Sequence, residues 1–179
     1  MVVSVRKGVL QDAAAIAQIQ VDTWRSTYRG IVDEQFLSNM SQEQGERNWE
    51  AAFTDPKKTT TVFVAESDPN HVVGFVACGP VRDNKDFSGE LFAIYVSQNM
   101  QGRGIGRRLV LSAAKDLTAR SFDSMLVWVL AENPFKRFYE SIAGEQFLTR
   151  DVVIAGKTLK ELGYGWKNLI SLISRLGSN

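Results

Sequence analysis

Two hydrophobic periods alternate along the chain and predict its helices and strands. From Ile105 to Leu117, apolar side chains recur at every fourth position, which is the spacing of one helix face within residues 104–120. Residues 90–96 are apolar on both faces, as in a strand at the centre of a sheet. The same criteria predict further helices at 12–24, 33–40, 41–53, 133–140 and 167–176, and strands at 2–6, 60–66, 72–79, 125–130, 146–154 and 158–166.

The order of these elements indicates the fold class. A strand, helices, three strands, a helix, a strand, a helix and a final hairpin form a mixed α/β (α+β) chain. A length of 179 residues without linkers or repeats predicts one domain over residues 1–179. We expect the apolar face of the amphipathic helix at 167–176 to pack in the core, with a surface for a partner protein or a homodimer as the alternative. That face comprises Leu169, Ile170, Leu172, Ile173 and Leu176.

Composition narrows the possible chemistry. The 21 basic and 20 acidic side chains give a net charge of +1, which provides no overall attraction to nucleic acid or to an anionic membrane. Cys78 and His71 are the only cysteine and histidine, so a metal site, a disulfide and a nucleophilic triad are not expected. In its apolar strand, Cys78 is expected to be an inert core residue. No segment approaches the ~20 apolar residues of a membrane span, and a cytoplasmic location is expected.

The segment between the central strand and the 104–120 helix has the composition of an anion site. It reads Gln101-Gly102-Arg103-Gly104-Ile105-Gly106, and its glycines allow a tight turn with unobstructed backbone N–H groups. The helix N-terminus, Arg107 and Arg108 add positive charge, which suits a diphosphate. A turn that only permits close packing is the alternative. A dinucleotide fingerprint would need glycine where Leu109 stands, and a Walker loop would need Gly-Lys-Ser/Thr.

This segment resembles the acyl-CoA motif of the GNAT superfamily of N-acetyltransferases, Gln/Arg-x-x-Gly-x-Gly/Ala. Its defining positions are filled by Gln101, Gly104 and Gly106. The resemblance extends upstream into the strand at 91–96 and downstream to Asn133 and the Phe138-Tyr139-Glu140 run, and it covers residues 3–166. It implies a single domain with a central, mostly antiparallel mixed sheet, flanked by helices and splayed at its central strand pair.

The resemblance also implies that acetyl-CoA is the cosubstrate. Backbone amides of the loop would hold its pyrophosphate, assisted by Arg103 and Arg107. The pantetheine arm would lie beside the central strand like an added strand. Asn133 would bond to that arm, although as a residue before proline it would equally serve as a helix cap. The implied cosubstrate-binding residues are Ile94, Tyr95, Val96, Gln101, Gly102, Arg103, Gly104, Ile105, Gly106, Arg107 and Asn133.

Acyl transfer from a thioester to an amine needs a base, an oxyanion donor and an acid. The resemblance assigns the acid to Tyr139, because a phenol with a pKa of about 10 can protonate the departing thiolate; a core position is the alternative. Glu90 is the candidate base, since strand alternation places it on the side of Phe92 and Ile94, on one wall of the cleft. An exposed strand-end carboxylate is the alternative for Glu90. The oxyanion donor is expected to be a backbone N–H near Val96.

The predicted function is transfer of an acetyl group from acetyl-CoA to a primary amine of a small molecule or a peptide. Two other classes stay open: an acyl-CoA-binding sensor module without catalysis, and a nucleotide-dependent enzyme that uses the loop for another phosphate. The sequence does not choose among acceptors, although aromatic side chains are available to line an acceptor pocket. Those candidates are Phe92, Trp24, Tyr28, Trp128 and Phe87.

Overall fold

A computed structural model describes residues 3–68 and 71–178, and seven strands and six α-helices lie within them. The strands are β1 (Ser4–Lys7), β2 (Thr61–Asp68), β3 (His71–Pro80), β4 (Gly89–Val96), β5 (Met125–Leu130), β6 (Glu145–Ile154) and β7 (Lys157–Trp166). The helices are α1 (Ala13–Thr27), α2 (Glu34–Asn39), α3 (Gln42–Thr54), α4 (Ile105–Ala119), α5 (Arg137–Ser141) and α6 (Leu169–Gly177). The predicted order and the mixed α/β class are confirmed. The start of the first predicted strand at Val2, and Pro69 and Asn70 between β2 and β3, lie outside the described residues.

The strands form one sheet in the order β1-β2-β3-β4-β5-β7-β6. Neighbouring strands are antiparallel except β4 and β5, which are parallel. This parallel pairing is short, because it ends where Leu91 lies opposite Val127. On its other side, β4 stays paired with β3 as far as Val96. Beyond Leu91, therefore, β4 and β5 diverge, and the predicted splay of the central strand pair is confirmed.

Helices cover both faces of the sheet. Successive residues of β3 alternate between two apolar clusters, so the clusters lie on opposite faces. On one face, Leu109 and Leu117 of α4 are buried against the sheet together with α6. On the other face, Ile16 of α1 packs with Phe75 of β3 and with α3. Within residues 3–68 and 71–178, no helix combines the length and the apolar character that crossing a bilayer requires.

The tail helix α6 packs in the core, in agreement with the sequence expectation. Leu169, Leu172 and Leu176 are buried, and Ile173 packs partly against the same cluster. Ile170, which the sequence pattern groups with them, is instead 71% exposed. The reason is geometric, because one residue advances about 100° around a helix, and Ile170 therefore lies beside the buried stripe rather than in it.

A β-bulge in β4 changes which of its side chains share a face. The pairing with β3 skips Phe92, and Phe92 and Ala93 both pack on the face covered by α1 and α3. Ile94 packs on the opposite face, against α4. The expectation that Glu90, Phe92 and Ile94 share one face is therefore wrong for Ile94, because the bulge restarts the alternation.

Candidate active site

A cleft with a volume of about 520 Å³ opens where β4 and β5 diverge. Its walls are formed by the second half of β4, the loop that precedes α4, the end of α1 and the segment around α5. Most of the residues predicted for the site border this cleft, whereas Arg103 and Glu90 lie outside its lining. The predicted residues that line it are Ile94, Tyr95, Val96, Gln101, Gly102, Gly104, Ile105, Gly106, Arg107, Asn133 and Tyr139.

The loop before α4 presents a row of free hydrogen-bond donors. The backbone N–H groups of residues 102–107 have no acceptor in the part of the chain that the structure describes. Gly102 and Gly104 have φ angles of +74° and +76°, and a Cβ at either position would meet no atom within 4 Å. Gly104 is the N-cap of α4, so the last N–H groups of the row belong to the positive end of that helix. This arrangement suits an anion such as a pyrophosphate.

Gln101 holds this loop against the end of β4. Its Nε2 donates a hydrogen bond to the carbonyl oxygen of Val96 at 3.0 Å. Arg107 lines the cleft, but Arg103 and Arg108 donate to backbone carbonyls away from it. Of these three arginines, which the sequence places together at the predicted diphosphate, Arg107 is therefore the one that borders the cleft.

The edge of β4 that faces β5 supplies further main-chain groups. The N–H of Ser97 donates to Val73 of β3 at 2.9 Å. Because successive residues of a strand direct their N–H groups to opposite sides, the N–H of Val96 points into the divergence. Beyond Leu91, this side of β4 has no strand partner in the described chain. An extended ligand can pair with such an edge in the way that an added strand does.

Asn133 is oriented at the cleft by two hydrogen bonds. Its Nδ2 donates to the hydroxyl oxygen of Tyr28 at 2.9 Å, and its Oδ1 accepts from the N–H of Phe135 at 2.8 Å. The second bond fixes a turn, and α5 consequently begins at Arg137 rather than at residue 133 as predicted. One N–H of the Asn133 amide is left over, since an amide nitrogen carries two.

Tyr139 of α5 is 8% exposed and borders the same cleft. Its ring stacks on that of Tyr164 with 5.7 Å between centroids. Burial raises the pKa of Tyr139 well above its ordinary value, because the phenolate would be desolvated. Within residues 3–68 and 71–178, its hydroxyl has no hydrogen-bond partner. The phenol is thus neutral at physiological pH and keeps a proton that it can donate.

Glu90 lies at the start of β4 with its side chain 3% exposed. Its carboxylate accepts hydrogen bonds from the backbone N–H of Arg82 at 3.0 Å and from the guanidinium of the same residue. That guanidinium lies 4.7 Å from the ring centroid of Phe92. The structure therefore places Tyr139 at the cleft, whereas Glu90 lies outside the lining and is paired with Arg82. The role of Glu90 as a base stays a prediction.

Three of the five aromatic residues predicted for an acceptor pocket line the cleft. Trp24 lies outside the lining, and its Nε1 donates a hydrogen bond at 2.9 Å to the hydroxyl of Tyr95, which does line the cleft. Phe87 packs elsewhere, with its ring centroid 5.5 Å from that of Phe147. The three that line the cleft are Phe92, Tyr28 and Trp128.

Some lining residues are not predicted from the sequence. Thr23 and Thr27 of α1 border the cleft, as does the 49% exposed Phe135. The threonines are four residues apart and so lie on one helix face, and this spacing could have indicated from the sequence that they border the same site. Phe135 offered none, because its position depends on the turn that Asn133 stabilises.

Cys78 takes no part in the cleft. It is fully buried in β3, and burial raises the pKa of its thiol to about 12. It is therefore an inert core residue, as the sequence predicts. In residues 3–68 and 71–178, no group of three or more His, Cys, Asp or Glu side chains could hold a metal ion.

Known proteins are similar to this chain in sequence and in fold. The profile of the acetyltransferase (GNAT) family matches residues 15–144. The chain is 36% identical over 171 residues to the uncharacterized N-acetyltransferase YuaI of Bacillus subtilis (strain 168), covering 95% of this chain and 96% of that protein. It is 19% identical over 145 residues to the spermidine N(1)-acetyltransferase of Thermoplasma acidophilum, covering 79% and 88% of the two chains.

A solved structure gives the same architecture. YncA of Salmonella typhimurium, determined with its cofactor acetyl-CoA, superposes with a TM-score of 0.69 at 18% identity, covering 94% of this chain and 95% of that one. Its fold is therefore shared, and the family match extends over most of the chain, from α1 to the turn that follows α5. The protein belongs to the acetyltransferase (GNAT) family.

Proposed function

We propose that the protein transfers an acetyl group from acetyl-CoA to a primary amine by direct attack of the amine on the thioester. One observation carries this proposal: the loop with the unbonded N–H groups (residues 102 and 104–107), the unpaired edge of β4 and Tyr139 border a single cleft. They offer an anion site, a strand-addition site and a neutral acid, and a CoA thioester uses all three. The acetyl-CoA in YncA supports this choice of cosubstrate.

In this proposal, the main chain binds most of acetyl-CoA. The N–H groups of residues 102–107, with Arg107, hold the pyrophosphate. The edge of β4 at Ile94 and Val96 pairs with the pantetheine arm, and the remaining amide N–H of Asn133 bonds to the same arm. The N–H of Val96 donates to the thioester oxygen as negative charge develops there, which stabilises the transition state.

The reaction forms a C–N bond and breaks a C–S bond, and three proton transfers accompany it. An alkylammonium has a pKa of about 10.4, so the acceptor must first lose a proton to solvent or to a base. The neutral amine then attacks the carbonyl carbon, and Tyr139 donates its phenolic proton to the departing sulfur of CoA. The Tyr139 phenolate regains a proton, through solvent, from the nitrogen of the new amide.

A small-molecule amine is the favoured acceptor, and a peptide amine is the alternative. The Thermoplasma acidophilum relative is named for spermidine, a small amine, which supports the first. The cytoplasmic location expected from the sequence stays a prediction.

Release of free thiol from acetyl-CoA tests the proposed function. We expect a panel of amines to include acceptors that raise the rate of CoA release at least about tenfold over hydrolysis, because the cleft combines a binding site with an acid. Stabilisation of the protein by acetyl-CoA in thermal unfolding, with no release for any amine, would favour a sensor module instead. Greater stabilisation by NAD or ATP than by acetyl-CoA would favour a nucleotide-dependent enzyme.

The variant Glu90→Gln separates the two roles available to Glu90. We expect it to lower the free energy of unfolding by about 1–2 kcal/mol, because a buried carboxylate loses its charge-assisted bonds to Arg82. At saturating acceptor, thiol release should slow by less than about threefold, since the carboxylate lies outside the cleft lining. Urea unfolding and steady-state kinetics measure the two effects. A fall in kcat of about 100-fold with an altered pH profile would instead identify Glu90 as the base.

A further inference from the structure

Two guanidinium groups outside the cleft lining lie over aromatic rings that border the cleft. The guanidinium carbon of Arg150, on β6, is 3.9 Å from the ring centroid of Trp128. That of Arg82, in the loop between β3 and β4, is 4.7 Å from the ring centroid of Phe92. Trp128 and Phe92 both border the cleft, so the two cations lie directly beside its lining, although neither arginine belongs to the lining.

Each guanidinium is held by a carboxylate that is more buried than itself. Nε of Arg150 donates to Glu161 on β7 at 2.8 Å, and the two side chains are 38% and 15% exposed. Arg82 is 62% exposed and its partner Glu90 only 3%. The negative groups therefore lie behind the positive ones. A ligand that approaches either pair from solvent therefore meets the guanidinium group before the carboxylate.

Arg150 keeps most of its hydrogen-bonding capacity. Its Nε is the one nitrogen that donates to another residue within 3–68 and 71–178. The four N–H bonds of its two terminal nitrogens have no acceptor there. With the ring of Trp128 on one side and Glu161 fixing Nε, the plane of the guanidinium is set in advance. A planar fork of this kind matches a carboxylate, which it can bind through two parallel hydrogen bonds.

The Arg150–Glu161 pair lies close to the cleft, because Glu161 influences two tyrosines that line it. Its negative charge contributes to the raised pKa values of Tyr28 and Tyr95, after the larger effect of their burial. Both tyrosines line the cleft. The Arg150–Glu161 pair thus lies within electrostatic range of the cleft walls and still faces solvent.

We propose that the amine acceptor carries a free carboxylate, as free amino acids do, and that Arg150 binds this carboxylate. The inference rests on the proposed acetyl transfer. Arg82, over the ring of Phe92, contributes a second positive charge beside the cleft, which disfavours polycationic amines. A lysine side chain within a peptide lacks the carboxylate and is a poor acceptor on this reasoning.

Matched acceptors test the chemistry without altering the protein. The panel pairs each free amino acid with its α-carboxamide and with the amine that lacks the carboxyl group, at equal concentrations of neutral amine. We expect kcat/KM of thiol release to be at least about tenfold higher for the carboxylates, because one charge-assisted bidentate pair is lost in the others. Equal or faster reaction of carboxamides or polyamines would overturn the inference and leave acetyl transfer intact. No release with any amine would overturn both.

The variant Arg150→Gln tests the residue. We expect KM for the best carboxylate acceptor to rise about tenfold with kcat little changed, and KM for its carboxamide to stay the same. Lys160→Gln is the matched control, because it removes one positive charge from the same hairpin at an exposed pair with Asp151. It should leave both KM values unchanged. An equal loss of activity with carboxylate and carboxamide in Arg150→Gln would show a structural role only and would overturn the assignment.

Discussion

Replacing Tyr139 by phenylalanine is expected to lower kcat for thiol release about 100-fold, which is the usual contribution of a positioned general acid. KM for acetyl-CoA should change less than about twofold, because the main chain supplies most of its proposed binding contacts. Stability should be nearly unaffected, since the Tyr139 hydroxyl has no partner in the described chain and the phenyl ring keeps its stack on Tyr164. Steady-state kinetics and thermal unfolding measure the three quantities.

Tyr164→Phe is the control for this variant. The Tyr164 hydroxyl donates to Glu140 at 2.9 Å, and Tyr164 does not line the cleft. Its loss should cost about 1 kcal/mol of unfolding free energy and leave kcat unchanged. If Tyr139→Phe retains the wild-type kcat, the acid is not this phenol, and the departing thiolate takes its proton from water.

The pH profile gives an independent check on Tyr139. A raised pKa means that its phenol stays protonated above pH 10, the ordinary value, so its donor form is not lost as pH rises toward that value. The rate should therefore increase with pH as the acceptor amine loses its proton, with no falling limb below about pH 10. A fall in kcat between pH 8 and 10 in the wild type, absent from Tyr139→Phe, would contradict the raised pKa.

The second large effect is expected at Gly104. In Gly104→Ala, a methyl group would project into the cleft beside the row of N–H groups, and the left-handed φ of +76° would be strained. We expect affinity for acetyl-CoA to fall roughly tenfold to a hundredfold, since charge-assisted bonds to the pyrophosphate are displaced. Unfolding free energy should fall by about 1 kcal/mol because of the φ angle. Calorimetric titration and urea unfolding measure the two losses.

The variant Gly156→Ala separates the effect of backbone strain on stability from the loss of affinity for acetyl-CoA. Gly156, in the turn between β6 and β7, has a φ of +77° and is as open as Gly104, but it lies away from the cleft. Its substitution should cost the same unfolding free energy and leave the affinity for acetyl-CoA unaltered. An equal loss of affinity in both variants would mean that Gly104 acts through stability alone.

The parts of the fold that local sequence determines could be predicted. The stripe from Ile105 to Leu117 and the glycines before it define α4 and its loop, because helix periodicity and glycine conformation act over a few neighbouring residues. The bulge at Phe92 could not be predicted, since it depends on how β4 pairs with β3. One extra residue there moves Ile94 to the opposite face.

The part of the cleft proposed to bind the acceptor was harder to predict from the sequence, for the same reason. The sequence indicates that Phe92 and Trp128 are candidates for a pocket, but not that Arg82 and Arg150 lie over their rings. Each arginine comes from a different loop or strand, and its place is fixed by sheet order. The pairing of Glu90 with Arg82 could not be predicted from the sequence either, because Arg82 reaches Glu90 only after the chain turns back into β4.

The short parallel contact between β4 and β5 also bears on how this protein can evolve. Where the two strands part, the wall of the cleft is polypeptide backbone, and backbone is common to every sequence that keeps the fold. Side-chain substitutions along residues 94–96 therefore leave its hydrogen-bonding groups in place. Other lining residues are Phe92, Trp128 and Tyr28, and the guanidinium groups of Arg82 and Arg150 lie over the rings of the first two from outside the lining. Under the proposed function, selection can thus exchange one acceptor for another through these side chains while the main-chain groups that bind acetyl-CoA are inherited unchanged.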